Sequence, residues 1–93
     1  MDDHRQQSQT LLHSYVSILA ERHGMGPGKG FEYRLWDALV SSAPSRLISA
    51  DERDELRFLV DTSERWVSFD VETGELHLMP LDDWRALLAK RGH

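Results

Sequence analysis

Residues 66–79 alternate between apolar and polar side chains. Val67, Phe69 and Val71 alternate with Trp66, Ser68 and Asp70, the period of two that marks a strand with unlike faces. Leu76 and Leu78 alternate in the same way with Glu75, His77 and Met79. Between the two runs, Glu72, Thr73 and Gly74 predict a turn, closed by a glycine that tolerates positive φ. Register then decides which side chains share a face. Pairing Phe69 with Leu76 and Val67 with Leu78 gathers four apolar side chains on one side. The other side carries Trp66 with Met79, Ser68 with His77 and Asp70 with Glu75. A slip of one residue would set Phe69 against His77 and lose the apolar face. The preferred register places two carboxylates opposite each other beside the turn, a small like-charge cost.

A hairpin alone is marginal in water, so it needs a cover. A helix is predicted directly after it. Pro80 suits the first turn, where its missing N–H costs nothing. Asp82 and Asp83 complement the positive end of the helix dipole, and Lys90 and Arg91 the negative end. Gly92 stands where a helix stops. Leu81, Trp84, Leu87 and Leu88 form the apolar stripe.

Upstream of the hairpin the period lengthens to that of helices. From Thr10 to His23, the residues Leu11, Leu12, Tyr15, Val16, Ile18 and Leu19 are expected on one buried face, with Gly24 as the stop. Met1 to Gln9 is polar and expected to be flexible. Residues 24–30, GMGPGKG, read as a connector. A phosphate loop needs Ser or Thr where Gly30 stands, and a strand where a helix is predicted. A second helix is expected from Phe31 to Ser42, with Phe31, Leu35, Trp36, Leu39 and Val40 inward, ending before Pro44. Ser49 and Glu52 form a capping box that opens a third helix, Ala50 to Thr62, with Leu56, Leu59 and Val60 as its stripe. The expectation is a single α+β domain over residues 1–93. Three N-terminal helices, a two-stranded antiparallel hairpin and a C-terminal helix make it up, with the helices packed on one face of the small sheet.

Composition narrows the function. The chain is 40% hydrophobic and 9% aromatic, enough to build a core. There is no cysteine, which removes disulfides, thiolate metal sites and thiol nucleophiles. No apolar run approaches a membrane span and the N-terminus has no signal-peptide core, so a cytoplasmic protein without membrane contact is expected. The net charge of −5 falls entirely after residue 30. Nucleic-acid binding draws its affinity from clustered Lys and Arg, so no nucleic-acid partner is expected; a basic protein fits better.

The residues of chemistry are scattered. His4, His13, His23, His77 and His93 show no i, i+3 or i+4 pairing and no HExxH motif, so neither metal nor cofactor is expected. No serine sits in a GxSxG elbow. Ser68 opposite His77 lacks an orienting acid and an oxyanion hole. The paired carboxylates lie at helix N-termini, where they serve the dipole. The expectation is a protein without catalytic machinery.

The third helix carries the feature that structure alone does not account for. At about 100° per residue, Val60 and Leu59 flank Leu56. Asp51, Asp54, Glu55 and Asp61 fall on the opposite side, with Phe58 among them. An aromatic ring inside a charged rim has the make-up of a binding hot spot; the equal alternative is that Phe58 packs under the polar N-terminal arm, the glycine-rich connector or another copy of the chain. Trp66, on the less apolar hairpin face near Met79, is expected to be a second anchor.

The stretch WVSFDVETGELHLMPLDDWRALL, with the chain's small size and acidity, resembles small bacterial immunity proteins that neutralise secreted toxin domains, the contact-dependent inhibition type among them. The resemblance implies a masking partner for a toxin nuclease and transfers no particular binding residue. The alternative is a structural or regulatory subunit that assembles through apolar surface, as a homodimer or in a larger complex.

Overall fold

The computed structural model describes residues 3–24 and 30–91, so the expected connector lies mostly outside the described residues. In chain order come α1 (Asp3–Arg22), α2 (Phe31–Val40), α3 (Ala50–Ser63), β1 (Arg65–Phe69), β2 (Leu76–Pro80) and α4 (Leu81–Lys90). This is the α+β arrangement expected, with helices packed against a two-stranded antiparallel hairpin. Among the described residues no helix is long and apolar enough to cross a membrane.

α1 starts at Asp3, seven residues before the apolar pattern does. Tertiary contacts hold this polar turn in place of local propensity. Ser8 is buried and accepts a hydrogen bond from Thr62 Oγ1 at 2.7 Å. Arg5 pairs with Glu64, and Arg22 at the far end pairs with Glu52. These contacts lay α1 antiparallel to α3.

α2 stops at Val40, two residues short of expectation. Ser41 is extended, and its Oγ accepts from Ala43 N at 3.1 Å, an alternative to continuing the helix. Two arginines of α3 close the exposed carbonyls: Arg57 donates to Leu39 O at 2.9 Å and Arg53 to Ala43 O at 3.0 Å.

α3 opens on the expected capping box. Ser49 Oγ accepts from Glu52 N at 3.1 Å, and Glu52 Oε1 accepts from Ser49 N at 2.9 Å. The helix ends on Glu64, in the left-handed region at φ 56°. That conformation costs a non-glycine residue about 1–2 kcal/mol. Bonds to its carbonyl offset the cost, from Leu81 N and Arg65 Nη1, each at 3.1 Å. The residue also lets the chain pass straight from α3 into β1.

The hairpin takes the expected register, Val67 opposite Leu78 and Phe69 opposite Leu76. Val71, however, leaves the strand and is 72% exposed. Asp70 explains this by starting the turn early. Its carboxylate accepts from Glu72 N at 2.9 Å and Thr73 N at 3.3 Å, and its carbonyl from Gly74 N at 2.7 Å. Those backbone donors, Glu72 first and then Thr73, hold the Asp70 carboxyl below its usual range.

Cover reaches further round the hairpin than one face. Neighbouring strand residues point to opposite sides, yet Trp66 and Val67 are both 0% exposed. On the Trp66 side lies an aromatic cluster. Its ring centroid is 5.1 Å from Trp36 of α2 and 6.0 Å from Trp84 of α4, with Tyr33 4.9 Å from Trp84. The Arg91 guanidinium sits 4.3 Å above the Tyr33 ring. Trp66 therefore belongs to the core. The expectation of an exposed anchor there fails because α2 and α4 close over the face that alternation alone marks as less apolar.

Candidate binding surface

The wet side of α3 forms as expected. Leu56, Leu59 and Val60 are buried, which fixes the rotation of the helix. Phe58 is left 59% exposed, and Asp51, Asp54, Glu55 and Asp61 are exposed around it. None of these four carboxylates makes an ion pair among the described residues. The positive charges of α3 are turned elsewhere, since Arg53 and Arg57 reach the carbonyls at the end of α2. One helix thus separates its charges, with free acids outward and arginines against a neighbour.

α1 extends this face with side chains expected to be buried. Leu11 is 49% exposed and Ile18 59%. Each lies about 100° or slightly more from Leu12 on the helix, off the edge of the packed stripe. The contacts of Ser8 with Thr62 and Arg22 with Glu52 set the levels. Leu11, one turn beyond Ser8, comes level with residues 58–59, and Ile18, one turn before Arg22, with Glu55. Tyr15 lies half-buried between them, its phenol pushed above the usual value by burial, then by the Glu52 and Glu55 carboxylates. A recess of about 120 Å³ opens here, lined by Tyr15, Ile18, Leu19, Arg22 and Glu52. The result is an apolar strip across α1 and α3, bordered by acids.

Glu52 is the one carboxylate here already engaged. The N–H of Ser49 and then the Arg22 guanidinium hold its carboxyl below the usual value of 4.5. It belongs to the helix cap rather than to the free rim.

Two further features carry no local sequence signal. One is a recess of about 210 Å³ where Arg5, Arg65 and Arg85 meet Glu64, Leu81 and Asp82. These residues come from separate elements, so no local pattern announces them. Its charge is mixed, and Arg5 is already paired with Glu64. The other is the fastening role of two histidines. His13 Nε2 donates to Leu76 O and His23 Nε2 to Leu47 O, each at 2.8 Å. His77 is exposed beside Glu75 at 3.6 Å and stands opposite Ser68. Among the described residues, no group of three or more His, Cys, Asp or Glu side chains is placed to hold a metal ion.

No family model, no curated protein and no solved structure matches the chain.

Proposed function

We propose that this chain is a non-catalytic binding protein whose α1/α3 face masks a basic partner. The observation that carries the reading is Phe58, 59% exposed amid four carboxylates without ion-pair partners among the described residues. The ring and its neighbours Leu11 and Ile18 give the contact an apolar centre that sheds water on docking. Asp51, Asp54, Glu55 and Asp61 supply the rim, where Lys and Arg of the partner replace water as counter-charge. The net charge of −5 draws such a partner in and speeds encounter. A toxin nuclease is the partner implied by the resemblance to cytoplasmic immunity proteins. Its substrate groove is positive because it must hold phosphates, and the carboxylates of this face take their place.

The test is a calorimetric titration of a basic toxin nuclease domain with wild type, Phe58→Ala and Asp54→Lys. Both variants are expected to bind at least tenfold more weakly, and added salt to weaken the wild-type complex steeply. Equal affinities for all three proteins would dismiss the surface. Association that persists in high salt would favour the alternative, a subunit that assembles through apolar contact.

A further inference from the structure

Antiparallel strands exchange backbone bonds at every second pair, and the residues between turn their N–H and C=O outward. Asp70 N donates to Glu75 O at 2.8 Å and Leu81 N to Glu64 O at 3.1 Å, at opposite ends of the hairpin. With Ser68 opposite His77 and Trp66 opposite Met79, even residues of β1 bond to odd residues of β2. Arg65, Val67 and Phe69 therefore face the free edge of β1. Leu76, Leu78 and Pro80 face the free edge of β2. The missing N–H of Pro80 falls at a position that costs the hairpin no bond.

The two edges are finished differently. On β1, the buried Glu32 accepts from Phe69 N at 2.9 Å, Ser63 Oγ accepts from Arg65 N at 3.3 Å, and Val67 is 0% exposed. That edge is closed. On β2, His13 holds Leu76 O, while the N–H groups of Leu76 and Leu78 and the Leu78 carbonyl have no partner among the described residues. Beside them, a groove of about 410 Å³ runs between Leu78 and the side of α1 that carries Gln6, Gln9, Thr10, His13 and Ser14. It holds amides, hydroxyls and an imidazole, and no carboxylate, ammonium or guanidinium.

We propose that a second copy of this chain docks here, β2 against β2, antiparallel about Leu78, to make a four-stranded sheet. The edge is complementary to itself. At the centre, each Leu78 N–H donates to the Leu78 carbonyl of the other copy. Two residues away, Leu76 meets Pro80. A strand of ordinary composition would bring an N–H there, toward a carbonyl that His13 already holds. Pro80 brings none, so the His13 bond to Leu76 O meets no competing donor. The Leu76 N–H faces the Pro80 carbonyl, which has a second lone pair beyond the one it gives α4 as N-cap. The neutral lining matters for a chain of charge −5, since the groove walls brought together carry no like charges. The acid-rimmed face points away from this edge, so a dimer would present it twice. This proposal does not rest on the masking reading.

The test is sedimentation equilibrium of the full chain over a wide concentration range, with amide exchange of the same samples followed by NMR. The mass is expected to rise to that of a dimer, and the Leu76 and Leu78 amides to slow with it. Leu78→Pro removes the central donor from the outer edge and is expected to abolish association, with circular dichroism as the check on folding. If that variant fails to fold, the wild-type exchange decides alone. A monomer at every concentration, or a dimer in which both amides exchange as fast as in dilute solution, overturns the proposal. A dimer lost in Phe58→Ala with the Leu78 amide unprotected also overturns it, and moves the contact to the α1/α3 face.

Discussion

Phe58→Ala separates folding from binding. The ring is 59% exposed, so folding covers about two-fifths of it. Complete burial of such a side chain is worth about 1.5–3 kcal/mol, so the covered part contributes ~1 kcal/mol. Alanine returns about 0.5 kcal/mol through its higher helix propensity. The net change in stability is therefore well under ~1 kcal/mol, within the range of ordinary surface substitutions. Leu59, the next residue, is 2% exposed, and Leu59→Ala leaves a cavity that costs about 2–5 kcal/mol. Urea unfolding followed by fluorescence of the tryptophan cluster reads both. The Phe58→Ala midpoint should nearly coincide with wild type at unchanged slope, and the Leu59→Ala midpoint should fall far below it. As a docking anchor, Phe58 should lose about 2 kcal/mol or more of binding on truncation, roughly 30-fold in affinity. A stability loss in Phe58→Ala as large as that of Leu59→Ala would place the ring inside the packed interior and rule it out as a docking anchor.

Three more outcomes follow from the fold. Ser49→Ala removes half of the α3 capping box and should cost about 1 kcal/mol, lowering the thermal midpoint by about 4–8 °C; an unchanged midpoint would mean the cap bonds are not made in solution. Glu52 and Asp70 both have carboxyls held below their ordinary values of 4.5 and 3.8. A depressed folded pKa stabilises fully above the ordinary value and ceases to do so as pH falls through the folded one. Urea midpoints should therefore hold steady down to about those values and drop at lower pH, with a shallower drop in Glu52→Gln; identical acid profiles would exclude Glu52 as a contributor. Trp66→Ala empties the centre of the aromatic cluster and should cost about 3–5 kcal/mol, with loss of the near-ultraviolet circular dichroism; a near-native variant would contradict the placement of Trp66 in the core.

The fold was legible wherever local pattern and burial agree. The hairpin register could be read because sliding Phe69 against His77 destroys the apolar face, and the start of α3 because Ser49 and Glu52 cap each other within four residues. The α3 face was legible for the same reason: Leu56, Leu59 and Val60 fix its rotation. Four features were not legible. α1 reaches back to Asp3 through Ser8 and Arg5, whose partners lie more than fifty residues away. Leu11 and Ile18 belong to an apolar arc too wide for one contact, so its edge stays wet, and no periodicity says which edge. Trp66 was misread because alternation ranks the two hairpin faces against each other and says nothing of a second cover; Trp36 and Trp84 supply it from separate helices. Val71 left the strand through turn chemistry at Asp70, and Val40, expected inward, lies about 140° round α2 from Leu35 and stays exposed.

The central claim is that the acid-rimmed strip across α1 and α3 is where a partner sits. Amide chemical-shift mapping of the labelled chain, titrated with a basic toxin nuclease domain as the proposed partner, reads the contact residue by residue. The largest changes are expected at Leu11, Tyr15, Ile18 and residues 51–62, with β2 and the arginine recess unmoved. Changes centred on Arg5, Arg65 and Arg85, or spread evenly over the surface, would contradict it.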